Sequence, residues 1–249
     1  MSEAWRQLGT PVEGGVLLIG DHASNVVPAH IDLRIDPALL QQHIAWDIGV
    51  AAVAELLVAS GAVDAAILGG VSRLVVDCNR DEHAPGIVPI ASDGHAIPGN
   101  ALDAATHRAR LDRFYFPYHT HIAATLAAAR PAMILSLHSF TPSLASHPDE
   151  ARPWQIGILY NADDRLARVA VPAFAALGLT VGDQLPYSGK LLNHSMNVHA
   201  EANGIPYLGI EMRQDGVRDA AGQVTIADSI AQTIAVCRHH LASLPPIGQ

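Results

Sequence analysis

The sequence predicts an α/β fold with three layers, in which helices cover both faces of a mostly parallel or mixed central sheet. Two observations support this fold class. Short aliphatic runs, typical of buried strands, alternate along the chain with longer stretches of helical spacing. The chain has 249 residues, of which 49% are hydrophobic and 16% charged, and this composition can bury a substantial core. We therefore expect residues 1–249 to form one domain.

Six short runs are rich in aliphatic and β-branched side chains, and nearly continuous apolar runs of this length are typical of strands buried on both faces. We predict strands at GVLLIG (15–20), AAILGG (65–70), RLVVDC (73–78), AMILSLH (132–138), QIGILYN (155–161) and YLGIEM (207–212).

Four longer stretches carry apolar residues at helical spacing, and proline and glycine mark their ends. Pro37 suits a first helical turn, and Gly61 and Gly178 suit helix ends. Pro117 should kink or divide the second helix. The predicted helices cover residues 37–61, 102–130, 163–178 and 225–244.

Two long irregular segments each follow a predicted strand with a polar end. They cover residues 79–100 and 139–154, and ordered loops of this length are more often functional than decorative. Because open α/β sheets bind ligands beyond the ends of their strands, we expect both segments to border a ligand crevice.

Polar side chains end four of the predicted strands. If these strands are parallel neighbours, two histidines, a glutamate and arginines converge on one edge of the sheet. Such a set can hold a metal ion, deprotonate water and bind an anion, which is the inventory of metal-assisted hydrolysis. The residues are Asp21 and His22, Asp77 with Asn79 and Arg80, His138 and Ser139, and Glu211 with Arg213.

Charge and motif content argue against several other classes of protein. The net charge of −9 disfavours nucleic acid as a partner, since that affinity depends on clustered lysine and arginine. Neither phosphate-binding glycine motif occurs, and the G-x-S-x-G motif of serine hydrolases is absent. The N-terminus carries neither a predicted secretory signal nor a membrane anchor, and the two cysteines have no metal-site spacing. We expect a cytoplasmic protein that acts on neither nucleic acid nor membranes.

Five ordered motifs give a specific resemblance that spans nearly the whole chain. In sequence order they are GDHASN, HIAWDIG, SRLVVDCNR, LSLHSFTP and GIEMRQD. Together they resemble the N-formylglutamate amidohydrolase family, which is similar in fold to the zinc carboxypeptidases and aspartoacylases. The resemblance implies a zinc-carboxypeptidase-like fold and a zinc-dependent amidohydrolase that releases formate from N-formyl-L-glutamate or a similar N-acyl acidic amino acid. It also implies a role in histidine catabolism.

The resemblance implies that His22 and His138 bind one zinc ion, or another divalent metal. The third ligand stays open between two residues. The carboxypeptidase relatives have a glutamate three positions after the first histidine, where this chain has Asn25. We favour Asp47, because a carboxylate is a normal zinc ligand.

Two catalytic roles are also implied. Glu211 matches the glutamate that takes a proton from zinc-activated water and passes it to the leaving amine. Arg73 is then the expected partner of the tetrahedral oxyanion. The competing interpretation of Glu211 is an ion pair with Arg213, which lies one alternation away on the same strand face.

The remaining roles concern a small anionic substrate. Asn79 and Arg80 match an Asn-Arg pair that binds the α-carboxylate, since a guanidinium offers paired donors to two oxygens. Arg152 or Arg213 is expected to bind a side-chain carboxylate. The resemblance places His199 near the site, and Tyr187 is expected in a lid over it.

Three alternatives remain open at this point. An aspartoacylase-like deacylase or a carboxypeptidase would keep the zinc chemistry and change the substrate. A metal-free protein that binds small carboxylates would keep the fold alone. The oligomeric state cannot be inferred from the sequence, since apolar faces pack alike within and between chains.

Overall fold

The computed structural model describes residues 4–244, and a mixed sheet of seven strands lies at the centre of these residues. Two further strands form a small separate hairpin. The strands are β1 (Trp5–Gly9), β2 (Val16–Gly20), β3 (Ala65–Gly69), β4 (Ala91–Ser92), β5 (His95–Ala96), β6 (Met133–Phe140), β7 (Ile156–Leu159), β8 (Val181–Asp183) and β9 (Tyr207–Arg213). The order across the main sheet is β1-β3-β2-β6-β9-β7-β8, and β4 pairs with β5.

Helices cover both faces of this sheet. They are α1 (Val50–Ala59), α2 (Ala104–Arg110), α3 (Phe116–Ala128), α4 (Ala167–Ala176), α5 (His194–His199) and α6 (Ala220–Ser243). Helices α1, α4 and α6 share one apolar core with the sheet, as Val53, Phe174 and Ile230 show. On the opposite face, α3 and α5 bury Tyr118 and Met196 in a second core. The predicted three-layer α/β class with a mixed sheet is confirmed.

The strand directions bring the predicted polar tips together. Strands β3, β2, β6 and β9 are parallel neighbours. Strand β1 runs antiparallel to β3, and β7 runs antiparallel to β9 but parallel to β8. His138 of β6 pairs directly with Glu211 of β9, and His22 follows β2 by two residues. Since parallel strands end at the same edge of a sheet, the three side chains lie at one edge.

The predicted strand at 73–78 is wrong. Residues 71–80 form turns and irregular backbone, in which Ser72 Oγ accepts a hydrogen bond from the backbone N–H of Leu74 at 3.1 Å. Val75 and Val76 are buried all the same, in the core beneath α3. An apolar run indicates burial, and periodicity alone does not separate a buried strand from a buried turn.

The predicted helix at 37–61 is also wrong in its first half. A 3₁₀ helix covers Pro37–Gln41, irregular backbone follows, and α1 begins only at Val50. Gly49 precedes it with φ of +88°, a left-handed conformation that glycine adopts without a steric penalty. Asp47 therefore lies in a loop, which lets it reach the sheet edge.

Other boundaries differ less. The second predicted helix is divided as expected, because a π-helical turn at Leu111–Tyr115 separates α2 from α3, whose first turn holds Pro117. The 163–178 and 225–244 predictions correspond to α4 and α6. Strands β1, β8 and the β4–β5 hairpin were not predicted. Within residues 4–244, no helix has the length and apolar character needed to span a membrane.

Candidate active site

Three buried side chains meet where β2 and β6 end. His22 follows β2, His138 lies in β6, and Asp47 comes from the loop before α1. The backbone holds Asp47 between the two tips: its N–H donates to the carbonyl of His22 at 2.9 Å, and the N–H of Ser139 donates to its Oδ2 at 3.3 Å. The position of Asp47 therefore depends on both strands.

The polar atoms of these residues converge. Asp47 Oδ2 lies 3.4 Å from His22 Nδ1 and 2.9 Å from His138 Nδ1. One donor atom from each of the three residues lies within 4.8 Å of the other two. Nδ1 of His22 has no hydrogen-bond partner within residues 4–244, and such a buried nitrogen is costly unless something binds it.

This arrangement fits a divalent metal such as zinc. Zinc takes histidine nitrogens and carboxylate oxygens at about 2.0 to 2.2 Å, so tetrahedral ligand atoms lie about 3.4 Å apart. The three residues can hold one ion and leave a fourth position open. The amide of Asn25 bonds to the 3₁₀ helix at Pro37–Gln41, since its Nδ2 donates to the carbonyl of Leu40 at 3.0 Å.

Two further aspartates face the other nitrogens of the histidine rings. Asp77 Oδ1 lies 2.7 Å from His22 Nε2, and Asp21 Oδ2 lies 3.4 Å from His138 Nε2. Burial and the guanidinium of Arg73 favour a low pKa for His22, yet Asp77 and Asp47 raise that pKa overall. Burial likewise favours a low pKa for His138, and Asp21 and Asp47 raise it well above its usual value. The cluster thus favours positive charge at its centre.

Glu211 is buried beside these residues on β9. Its Oε2 has no hydrogen-bond partner within the described residues. Burial and then Asp47 raise the pKa of Glu211 to about 7, although His138 and Arg73 act in the opposite direction. A carboxyl with such a pKa can exchange a proton near neutral pH. Gly157 of the neighbouring strand β7 pairs with Glu211. If residue 157 had a side chain, its Cβ would lie 3.2 Å from the Cβ of Glu211.

Arg73 forms part of the same cluster. Its guanidinium donates to Asp47 Oδ1 at 3.1 Å and to Asp77 Oδ2 at 3.0 Å. These bonds leave Asp47 Oδ2 for the centre of the cluster. A guanidinium has more N–H donors than the two bonds use, and Arg73 borders the cavity described next.

A cavity of about 410 Å³ opens over the cluster. Both long segments predicted to border a crevice contribute to its wall. Segment 79–100 contributes the lining residues Asn79, Arg80, Pro89 and Asp93. Segment 139–154 contributes Phe140, Leu144 and His147, and a third loop contributes the phenol of Tyr187.

Asn79 and Arg80 have a defined orientation at the cavity wall. Asn79 Oδ1 accepts the backbone N–H of Ser195 at 3.0 Å, so its Nδ2 remains as a donor. The Arg80 side chain is 40% exposed, with Nε 3.7 Å from Asp77 Oδ2. Tyr115 donates its hydroxyl to the carbonyl of Arg80 at 2.9 Å. The pair therefore presents N–H donors beside the cluster.

Three residues that were predicted to bind substrate do not line the cavity within residues 4–244. They are Arg213, His199 and Arg152. Arg213 donates to the carbonyls of Arg152 and Pro153 and to Asp215, so it neither reaches the cavity nor pairs with Glu211. His199 is buried beneath the site, and its Nε2 lies 2.8 Å from His119 Nδ1. Both residues were predicted to bind substrate, and neither lines the cavity within residues 4–244.

Arg152 is the third, and it lies behind Tyr187. Its guanidinium donates to the Tyr187 hydroxyl at 2.9 Å and stacks over that ring. Arg152 Nε has no hydrogen-bond partner within residues 4–244. Its contact with the cavity therefore runs through Tyr187.

Sequence reasoning gave no role to Asp21, at the end of β2, or to Asp77, in the irregular segment 71–80. Their signal is local, since Asp21 adjoins His22 and Asp77 adjoins the Cys-Asn-Arg run. It also missed Asp93 of the β4–β5 hairpin, which accepts a hydrogen bond from His43 at 3.0 Å and from Ser146 Oγ at 2.6 Å. Asp93 thereby joins two walls of the cavity.

Comparison with known proteins gives a family match and similar solved structures. A model of the N-formylglutamate amidohydrolase family matches residues 14–217. Among solved structures, the chain is similar to a gene product of Agrobacterium tumefaciens, with 31% identity and a TM-score of 0.88 over 97% of this chain and 96% of that one. It is similar in fold to N-formylglutamate amidohydrolase from Ralstonia eutropha, with 18% identity and a TM-score of 0.72 over 96% of this chain and 99% of that one. A search of curated proteins found no match.

Proposed function

The chain belongs to the N-formylglutamate amidohydrolase family, and on that premise we propose that it hydrolyses the formyl amide of N-formyl-L-glutamate or a similar N-acyl acidic amino acid. One observation carries the proposal. The donor atoms of His22, Asp47 and His138 converge within 4.8 Å, and Glu211, a buried carboxyl with a pKa raised to about 7, stands beside them.

We propose that His22, Asp47 and His138 hold one Zn²⁺ ion. When bound, zinc lowers the pKa of a water molecule from about 16 to about 7 and polarises a carbonyl oxygen. The carboxylates of the cluster outnumber its guanidinium groups among the described residues, which supports a cationic occupant.

Glu211 acts as the general base and then as the general acid. Its carboxylate takes a proton from the attacking water, whose oxygen forms a bond to the formyl carbon. The same proton then passes to the nitrogen of the leaving amine as the C–N bond breaks, and the products are formate and the free amino acid. Arg73 N–H groups that are not bound to carboxylates stabilise the negative charge on the former carbonyl oxygen.

Asn79 Nδ2 and the Arg80 guanidinium bind the α-carboxylate of the substrate. Tyr187, supported by Arg152, borders the region where a side-chain carboxylate would lie. The proposed partner is thus a small anionic amide. The proposed location is the cytoplasm, which the two buried free thiols, Cys78 and Cys237, support.

We expect Arg80→Ala to raise KM for N-formyl-L-glutamate about 10- to 100-fold with little change in kcat. A hydrogen bond to a charged group contributes about 1.5 to 3 kcal/mol, and this one is made equally before and during the reaction. Steady-state formate release measures both constants. The control is Arg108→Ala, since Arg108 is exposed on α2 and pairs with Asp112. An unchanged KM would contradict the role of Arg80.

The third ligand can be tested directly. We expect Asp47→Asn to weaken zinc binding about 100-fold, because a neutral amide replaces a charged oxygen ligand. Asn25→Ala should leave the affinity unchanged. Chelator competition measures both dissociation constants, and the reverse order would identify Asn25 as the ligand.

Activity on a substrate panel tests the function itself. Zinc-loaded protein is assayed with N-formyl-L-glutamate, N-formyl-L-aspartate, their acetyl analogues and short peptides. We expect the formyl derivatives to give the highest kcat/KM. Preference for acetyl or peptidyl compounds would replace the proposal with a deacylase or a carboxypeptidase. Binding of N-formyl-L-glutamate by a protein that takes up no zinc would indicate a carboxylate-binding protein.

A further inference from the structure

Asp21 is a fully buried carboxylate with no role in the proposed reaction. Its side chain is 0% exposed and follows β2 directly. Oδ1 accepts two hydroxyl donors, Tyr118 from α3 at 2.9 Å and Ser195 from α5 at 2.7 Å. Oδ2 has no hydrogen-bond partner within residues 4–244. Two helices thus orient Asp21 so that one oxygen is occupied and the other is free.

The free oxygen faces a second buried atom without a partner. Oδ2 of Asp21 lies 3.4 Å from Nε2 of His138, which also has no hydrogen-bond partner among the described residues. Such atoms are costly in a buried site, and here the two face each other. The contact is long for a hydrogen bond, so it is incomplete in this structure.

The bonding of His138 Nδ1 indicates how the contact between His138 Nε2 and Asp21 Oδ2 would become a full hydrogen bond. His138 Nδ1 is bonded to Asp47 Oδ2 at 2.9 Å, and a metal needs both of these atoms unprotonated. When Nδ1 binds a metal, the single proton of the neutral ring must lie on Nε2. Asp21 Oδ2 is the acceptor at that position.

The second histidine of the cluster is supported differently. Asp77 faces His22 Nε2 at 2.7 Å, but it also accepts from Arg73 and from the N–H of Asn79. Asp21, in contrast, forms no ion pair with an arginine or lysine in the described part of the chain. Its charge is therefore directed at His138.

We propose that Asp21 is the positioning residue of His138: by accepting the Nε2 proton, it directs the Nδ1 lone pair at the metal. Tyr118 and Ser195 position Asp21 in turn. This inference rests on the proposed metal site. It states that the side chains of Asp21, Tyr118 and Ser195 increase the affinity of that site for metal. Such outer partners typically change metal affinity about 10- to 100-fold.

Two substitutions at Asp21 separate positioning from packing. In Asp21→Asn, the amide oxygen is expected to replace Oδ1, because that position accepts two hydroxyl donors. The NH₂ group then faces Nε2 as a donor and forces the ring proton onto Nδ1. In Asp21→Ala, nothing opposes a proton on Nε2. We expect zinc affinity to fall about 10- to 100-fold in Asp21→Asn and by less in Asp21→Ala.

Chelator competition measures zinc dissociation constants for these variants, with Tyr118→Phe as a milder change that keeps the shape of the core. We expect Tyr118→Phe to weaken zinc binding by less than Asp21→Asn does, since it removes one of the two donors to Oδ1 and keeps the Asp21 carboxylate. The matched control is Tyr115→Phe, whose hydroxyl bonds to Arg80 and His194 instead. Its zinc affinity should equal that of the wild type. Imidazole ¹⁵N NMR of the zinc-loaded protein should show a His138 Nε2–H signal that Asp21→Asn alters and Tyr115→Phe does not.

The outcomes are distinct. A larger loss in Asp21→Ala than in Asp21→Asn would indicate packing and overturn the inference, as would an unchanged affinity in both. Wild-type protein that binds no zinc would overturn the proposed metal site itself. Tight wild-type binding with an unaltered His138 signal in Asp21→Asn would overturn the positioning role alone.

Discussion

His138→Ala is expected to weaken zinc binding about 100- to 1,000-fold and to abolish measurable formate release. The binding free energy of a structural zinc site with four ligands is about 10 to 16 kcal/mol, so one ligand contributes about 2.5 to 4 kcal/mol. Each 1.4 kcal/mol is about tenfold in the dissociation constant. His138 is one of three protein ligands in the proposal, and its loss also leaves Asp21 facing a cavity. Chelator competition and metal analysis of the purified variant provide the measurement.

The control for this prediction is another histidine remote from the cluster. His121 stacks on Trp5 with ring centroids 3.5 Å apart and bonds to Gln7. His121→Ala should retain the zinc content of the wild type. If His138→Ala also retained it, the metal site would have to lie elsewhere.

Glu211→Gln is expected to lower kcat for formate release about 100- to 10,000-fold while zinc affinity changes little. Glutamine keeps the shape of the side chain but cannot take a proton, and general acid–base catalysis contributes a factor of this size. Glu211 is not one of the three converging ligand residues, so the metal should remain bound. Steady-state kinetics and zinc titration of the same preparation test both parts.

Glu55→Gln serves as its control, because Glu55 is exposed and pairs with Arg6 at 2.9 Å. It should leave kcat unchanged. Retention of turnover in Glu211→Gln would remove Glu211 from the mechanism while leaving the family assignment in place, since that assignment rests on the match over residues 14–217.

The sheet edge is the part of the site that sequence patterns predict well. The runs ending in His22, His138 and Glu211 are continuous and apolar, so each indicates a buried strand with a polar tip. Their parallel order, β2-β6-β9, then brings the three tips together. The long segments 79–100 and 139–154 were identified by their length and by the polar residues that end the predicted strands before them, and both border the cavity.

Sequence patterns gave wrong secondary-structure predictions for segments that are buried but have no regular secondary structure. The run at 73–78 is as apolar as the true strands, but its backbone bonds to its own turn and to the loop at Ala45. A helix over residues 37–61 would place His43 and Asp47, which are four residues apart, on one face. The left-handed backbone at Gly49 ends that pattern, and the two residues then bond to different partners.

By itself, the sequence determined the fold class, the family and the strand tips that carry His22, His138 and Glu211, because apolar periodicity and motif order are local properties of the chain. The tertiary structure alone brings the Asp47 carboxylate to the two histidines, places Asp21 and Asp77 at their other ring nitrogens, and leaves Arg213 and His199 outside the cavity wall. Those outcomes depend on contacts between residues far apart in sequence. Their side chains meet only after the strands pair and the helices pack.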